Sequence, residues 1–209
     1  VMRAKKIKFM CTVPSFFKML KMQFESEIAK QSTFKKLMYQ FSYHYIAKFL
    51  PFECIKKRLF KDIHAKFGNN FYGFCSGGAP MDLEMGKYFN RIGIRVFQGY
   101  GLSEASPVVT FSMDKKIDLR SVGYLLDSFE AKIDKQTGEL MVKGPAVMKG
   151  YYKQPELTAE VITPDGWLHT GDIAKINKKG EVFITGRIKN MIVLPGGKKV
   201  FPEEVESAM

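Results

Sequence analysis

Phe71-Tyr72-Gly73-Phe74-Cys75, then Ser76-Gly77-Gly78-Ala79-Pro80, then residues 82–92 with Gly93, then Ile94-Arg95-Val96-Phe97: this stretch decides the fold. The first five residues form an apolar, aromatic run and read as a buried strand. Residues 76–80 read as a loop. Residues 82–92 have helical spacing, with Leu83, Tyr88 or Phe89, and Ile92 inward and Gly93 as the stop. Residues 94–97 predict a second strand. Strand, helix, strand makes a βαβ unit, and its two strands run parallel. Loops that leave the carboxyl ends of such strands share one edge of the sheet, where open α/β sheets take ligands. Residues 77–80 and 99–104 are therefore expected to be two walls of one pocket.

The second of those loops is Gln98-Gly99-Tyr100-Gly101-Leu102-Ser103-Glu104. Glycine lets the backbone turn and approach a phosphate. Tyr100 offers a flat face for a base, Ser103 a donor for phosphate oxygen, and Glu104 a hard oxygen ligand for Mg²⁺. The alternative for any one of these residues is an ordinary tight turn, because short glycine motifs are common.

Upstream, residues 7–13 read as a strand that ends at Pro14. Helical periodicity follows. Phe17, Leu20, Phe24 and Ile28 share one face, as do Phe34, Leu37, Phe41 and Tyr45. Ile55, Leu59, Ile63 and Phe67 recur every four residues up to Gly68. Lysines occupy the other faces. Such helices are expected to place their aromatics in the core. The competing reading is an RNA or membrane surface.

Downstream the character changes. Pro107-Val108-Val109-Thr110-Phe111 is extended. Residues 129–134 and 139–143 predict a hairpin, and 155–161 a short helix. Residues 173–176 and 181–185 predict a second hairpin, and 188–194 with 198–201 a third around Pro195-Gly196-Gly197.

The chain has 209 residues, 45% of them hydrophobic, which suffices for one or two domains. Thirty-three basic against 21 acidic residues give a formal charge of +12 and favour anionic partners. Cys11, Cys54 and Cys75 form neither a CxxC pair nor a disulfide framework, so a reducing, cytoplasmic setting is expected. No long uncharged apolar run is present to span a membrane.

Five motifs, in order, carry a resemblance. They are Gly77-Gly78-Ala79-Pro80; Gly99-Tyr100-Gly101-Leu102-Ser103-Glu104; Gly138-Glu139-Leu140 with Lys149-Gly150-Tyr151-Tyr152; Trp167-Leu168-His169-Thr170-Gly171-Asp172; and Gly186-Arg187-Ile188-Lys189-Asn190. Over about residues 75–209 the chain resembles the adenylate-forming enzymes. The wording around residues 188–204 is most similar to the long-chain fatty acyl-CoA synthetases. The resemblance implies an α/β fold: a parallel βαβ core of the large lobe, then a β-rich subdomain, then the start of the small C-terminal lobe. Residues 1–187 would be the latter part of the large AMP-binding domain, with the β-rich subdomain at about 107–187. Residues 188–209 would open the C-terminal subdomain.

The resemblance further implies ATP-dependent activation of a carboxylic, fatty acid to an acyl-adenylate and its transfer to the thiol of CoA, with Mg²⁺. Gly77, Gly78, Ala79 and Pro80 would line the adenine and acyl pocket. Gln98, Gly99, Gly101 and Leu102 would frame the nucleotide, and Tyr100 would stack on adenine. Ser103, where the family usually has Thr, would contact phosphate. Glu104 would hold Mg²⁺. Asp172 would accept from the ribose hydroxyls, and Arg187 would reach ribose and phosphate. Lys189 stands at the interdomain hinge, and Gly196, Gly197 and Lys198 would border the CoA path. The Ser/Thr/Gly-rich phosphate loop and the catalytic lysine of the family are absent from these 209 residues. An internal fragment that does not make acyl-adenylate by itself is expected.

Three alternatives stand beside this reading. The acceptor thiol can be that of an acyl carrier protein, which suits a basic surface. Gly101-Leu102-Ser103-Glu104-Ala105 approaches the nucleophile elbow of a hydrolase, with Asp127 or Asp134 and His169 as partners. Against it, the elbow needs a helix after the turn, while residues 107–110 are extended. The last alternative is a basic binding module for nucleic acid or an anionic membrane. The ligase reading involves no nucleic acid and is compatible with peripheral contact at a membrane.

Overall fold

The computed structural model describes residues 5–47, 52–68, 70–113, 117–193, 199–200 and 202. The chain divides into two compact units, Val1–Phe97 and Gln98–Met209.

In the first unit, β1 (Phe9–Thr12) leads through Val13 into α1 (Pro14–Ala29). Pro14 suits the first helical turn because its φ is already set and its missing N–H is not needed there. Phe17, Leu20 and Phe24 of α1 are buried. α2 (Thr33–Phe41) continues into a π-helical turn, Ser42–Ile46. α3 (Glu53–Leu59) and α4 (Lys61–Phe67) follow, and β2 (Gly73–Ser76) pairs in parallel with β1, Cys11 opposite Cys75. α5 (Leu83–Arg91) is capped by Asp82, whose Oδ1 accepts from the N–H groups of Glu84 at 2.7 Å and Met85 at 3.2 Å. β3 (Arg95–Gly101) lies beside β2 and runs from the first unit into the second. The strand–helix–strand order predicted from the sequence is thus observed.

Aromatic rings dominate this core. Phe17 meets Phe74 and Phe89 edge-on, with centroids 5.2 and 5.1 Å apart, and Phe67 and Phe71 stack at 4.8 Å. Such pairs add about 0.5–1.5 kcal/mol each beyond the area they bury.

The second unit is antiparallel. β4 (Val108–Phe111) pairs with the end of β3, and β5 (Gly123–Leu125) with β4. Then β9 (Glu181–Arg187), β8 (Leu168–Ile176), β7 (Glu139–Lys143) and β6 (Glu130–Ile133) complete the order. The one α-helix of this unit among the described residues is α6 (Pro155–Val161). Val109, Leu140, Val142, Leu168 and Val182 form the centre of this core. β10 (Ile192–Val193) and β11 (Lys199–Val200) make a separate antiparallel pair, a shorter form of the hairpin expected over residues 188–194 and 198–201, because residues 188–190 form a 3₁₀ turn.

Three expectations need correction. Residues 98–101 are strand rather than loop, because β4 folds back on β3 and pairs Gly99 with Phe111, Tyr100 with Thr110 and, after a bulge, Gly101 with Val108. The helix expected across residues 55–67 breaks at the buried Phe60, so Ile63 and Phe67 are buried while Ile55 and Leu59 are exposed. The stripe of α2 faces outward: Phe34, Leu37, Phe41 and Tyr45 are all exposed. Tyr39 and, in the π-helical turn, Tyr43 pack against the core instead. Tyr39 is two residues, about 200° of helix, from both Leu37 and Phe41, so burying it turns the stripe away.

Candidate functional site

Asp172 is the focus of the second unit. It sits in β8 directly opposite Arg187 of β9. Arg187 Nε donates to Asp172 Oδ1 at 2.9 Å. The Tyr100 hydroxyl, from β3, donates to Asp172 Oδ2 at 2.7 Å. The Asp172 N–H donates to Thr170 Oγ1 at 3.2 Å. Asp172 is 3% exposed, whereas the Arg187 side chain is 67% exposed. The buried carboxylate is thus fixed in place, and its cation sits at the surface. Burial and the neighbouring Asp172 raise the Tyr100 pKa, so the phenol stays a neutral donor.

The backbone around Asp172 is held by a second carboxylate. Glu139 of β7 is buried. Its Oε1 accepts from the Gly171 N–H at 2.8 Å, and its Oε2 lies 2.8 Å from His169 Nδ1. Gly171 has φ +73° and nothing within 4 Å of the place a Cβ would take. The space beside Asp172 is open on that side.

A third group gathers at the end of β3. Ser103 opens a 3₁₀ turn, Ser103–Ala105, and is exposed. Glu104 is half-buried and accepts from the Tyr151 hydroxyl at 2.9 Å through Oε1, and its carbonyl accepts from the Met148 N–H at 2.7 Å. Glu104 raises the pKa of the Tyr151 phenol. Leu102 packs on the second core. Gln98 is buried, its N–H on Ser112 Oγ at 2.6 Å and its side-chain amide on the Leu119 carbonyl.

The structure therefore brings Tyr100, Asp172 and Arg187 together from three strands, and places Ser103 and Glu104 just beyond β3. Lys189 is exposed in the 3₁₀ turn Ile188–Asn190. In the first unit, Gly77 follows β2 and donates to the Thr12 carbonyl at 3.3 Å, and Gly78 has φ +81° with open space around it. Ala79 and Pro80 are exposed. Just before them, the Ser76 hydroxyl is buried without a hydrogen-bond partner among the described residues. Gly196, Gly197 and Lys198 lie outside the described residues.

Sequence reasoning missed Tyr151 and Glu139 as members of these clusters. Both stand in the quoted motifs, but their partners are 47 and 30 residues away. The hydrolase triad is not formed: the acid on His169 Nδ1 is Glu139 rather than Asp127 or Asp134, and the Ser103 turn leads to a strand rather than a helix.

The chain is mixed α/β, with a buried acid in one strand paired across the sheet to an arginine in the next. The chain belongs to the AMP-binding enzymes, a family that matches residues 1–152. Among curated relatives, the long-chain-fatty-acid–CoA ligase FadD15 of Mycobacterium bovis is 35% identical over 151 residues, 72% of this chain and 25% of that protein. The chloroplastic long-chain-fatty-acid–[acyl-carrier-protein] ligase AEE15 of Arabidopsis thaliana is 38% identical over 173 residues, covering 73% of this chain and 24% of its own. The chain thus spans about a quarter of the length of these curated relatives. Among solved structures, ATP-bound MatB from Rhodopseudomonas palustris is 30% identical, with TM-score 0.61 over 74% of this chain and 33% of its own. O-succinylbenzoate coenzyme A synthetase from Bacillus subtilis, in complex with ATP and magnesium ion, gives TM-score 0.66 over 97% of this chain and 36% of its own. At 23% identity that likeness is one of fold.

Proposed function

We propose that this chain carries part of the nucleotide site of an ATP-dependent fatty acid–thiol ligase. The observation that supports this reading is the Tyr100–Asp172–Arg187 cluster, a buried carboxylate with a surface guanidinium, beside an opening at Gly171. Asp172 would accept from the ribose hydroxyls, in charge-assisted hydrogen bonds. Arg187 is free to turn from Asp172 toward a phosphate, since its side chain is mostly solvated. Tyr100 holds the carboxylate through its hydroxyl, and its ring, packed in part against the second core, would meet the base. Ser103 would donate to a phosphate oxygen.

The chemistry is a two-step acyl transfer. A fatty acid carboxylate oxygen attacks the α-phosphorus of ATP and pyrophosphate leaves. The acceptor sulfur then attacks the acyl carbon and AMP leaves. Mg²⁺, when bound, supplies positive charge against the phosphates as pyrophosphate departs. Glu104 fits that ion by donor type, a half-buried carboxylate with Oε1 held by Tyr151. In this reading residues 1–187 belong to the large lobe and 188–209 open the small one, with Lys189 at the pivot between the two steps. Gly196, Gly197 and Lys198 would border the acceptor path. CoA is the acceptor that most of the relatives' names suggest. An acyl carrier protein is the second candidate, supported by the similarity to AEE15 and by the excess of basic residues.

Calorimetric titration of the 209-residue chain with a non-hydrolysable acyl-adenylate analogue tests the site. Asp172→Ala is expected to cost at least about 2 kcal/mol of binding, the scale for a lost charged hydrogen-bond partner. Unchanged affinity removes Asp172 from the site. Pyrophosphate release by the 209 residues alone is expected to be negligible, and robust turnover would overturn that part of the proposal.

A further inference from the structure

The basic charge of this chain is not spread evenly. Residues 1–66 hold 15 of the 33 basic side chains and only four of the 21 acidic ones. Residues 67–209 hold 18 basic and 17 acidic, close to balance. The excess of positive charge is thus a property of the α1–α4 region. Of its few acids, Glu25 is paired with Lys21, Glu27 with Lys66 and Glu53 with Arg95. From Ile28 to Phe52 the sequence contains no Asp or Glu at all, while Lys30, Lys35, Lys36 and Lys48 fall there.

The same region displays large apolar side chains to solvent. α2 and its π-helical extension present Phe34, Leu37, Met38, Phe41 and Tyr45, with Phe34 73% and Leu37 65% exposed. These fall at i, i+3, i+4, i+7 and i+11, one continuous stripe. Lys35 and Lys36 stand within the first turns of that helix. On neighbouring α1, Met19 and Met22 are exposed too. A depression of about 500 Å³ is lined by Leu37, Gln40, Phe41, His44 and Tyr45. A solvated surface stripe of this length is costly unless something covers it.

We propose that the α2 stripe is a docking surface for an anionic lipid bilayer. The charge decides the occupant. A protein partner of mixed charge leaves the surplus lysines unanswered, whereas lipid phosphates answer them while the acyl region takes the aromatics. A helix that is apolar on one side, basic beside it and free of acids matches the requirements of an interfacial helix. Tyr39, on the opposite side, anchors it to the core through Phe60 and through its hydroxyl contact with Tyr88 at 3.2 Å. α2 therefore keeps its attachment to the protein while its outer face lies in the interface. This proposal does not depend on the ligase reading.

Vesicle sedimentation of the 209-residue chain tests it. Binding is expected to vesicles containing phosphatidylglycerol, weakly to pure phosphatidylcholine, and to fall in high salt. Leu37→Ser with Phe41→Ser is expected to weaken binding about a hundredfold, from the apolar surface removed. Lys35→Ser with Lys36→Ser is expected to weaken it about thirtyfold on anionic vesicles only. Far-UV circular dichroism checks that both variants keep their helices, and adenylate-analogue affinity is expected to be unchanged in each. Equal binding to neutral and anionic vesicles, or binding untouched by both variants, overturns the proposal. So does a concentration-dependent dimer that Leu37→Ser with Phe41→Ser dissolves, which would make a second copy the occupant.

Discussion

The hydroxyl of Tyr100 donates to Oδ2 of Asp172 at 2.7 Å, joining two residues 72 positions apart. The contact ties the end of β3 to β8 within the second unit. A hydrogen bond to a charged group contributes about 1.5–3 kcal/mol. Arg187 remains on the other oxygen, so Tyr100→Phe leaves Asp172 with one strong partner. The expected cost is therefore near the low end, about 1.5 kcal/mol, read by urea unfolding. In the Asp172→Ala background the same substitution should cost much less. Equal costs in both backgrounds would falsify the coupling.

Two glycines of the quoted motifs make opposite predictions. At Gly101, where β3 bulges, a Cβ would run into the Pro107 backbone carbonyl, which cannot move without breaking the β3–β4 pairing. Gly101→Ala should destabilise by about 1–3 kcal/mol or more, as overpacking does. At Gly171 a Cβ meets nothing, but φ is +73°. Gly171→Ala should cost only the strain of the left-handed conformation, about 1–2 kcal/mol. It should also weaken adenylate-analogue binding, since the side chain enters the opening beside Asp172. Paired thermal melts and titrations separate the two effects.

Much of this was legible in the residues. The βαβ order followed from residues 71–97, where two apolar runs flank a stretch of helical spacing stopped by Gly93, because each signal is local. The hairpins at 129–143 and 173–185 were legible for the same reason. The outward turn of the α2 stripe was not. Periodicity reports that a helix has an apolar face and not which neighbour claims the other face, and here Tyr39 settles it by packing under Phe60. The break at Phe60 was hidden because Ile55, Leu59, Ile63 and Phe67 keep helical spacing through it. In the site, Asp172 and Arg187 were found separately from motifs. Their pairing depends on the register of β8 and β9, which turn residues alone do not fix. The strand character of Gly99 and Gly101 was masked by glycine itself, and it is imposed by β4.

The three thiols should differ sharply in reactivity. Cys11 and Cys54 are exposed, while Cys75 is partly covered. Burial, and the Cys11 thiol across the β1–β2 pair, push the Cys75 pKa up to about 11 from 9.0. The thiolate is the nucleophile, so a two-unit rise cuts its population at neutral pH about a hundredfold. Timed alkylation near neutral pH, with peptide mapping by mass spectrometry, should label Cys54 early and Cys75 last. Labelling of Cys75 at the rate of Cys54 would contradict the assigned environment.

His64 gives the chain a built-in sensitivity to acid. In α4, its Nε2 lies 2.7 Å from the Ile92 carbonyl, tying α4 to the end of α5. Neutral imidazole serves as the donor there. Burial lowers the His64 pKa below 6.5, the Ile92 contact partly opposes this, and nearby Lys57 lowers it further. Below about pH 6.5 the unfolded chain takes up a proton that the folded chain resists. The contribution of His64 is therefore fully present above that pH and is lost as pH falls toward the lowered folded value. His64→Gln keeps a donor near the same place without the titration. The stability gap between wild type and this variant, from urea unfolding at stepped pH, should shrink from pH 7.5 to 5.5 as wild type loses its advantage. At pH 7.5 the variant should be about 1 kcal/mol less stable, the scale of one imperfectly replaced hydrogen bond. A gap that widens on acidification would mean that the folded state favours the imidazolium, and the burial of His64 would have to be reconsidered.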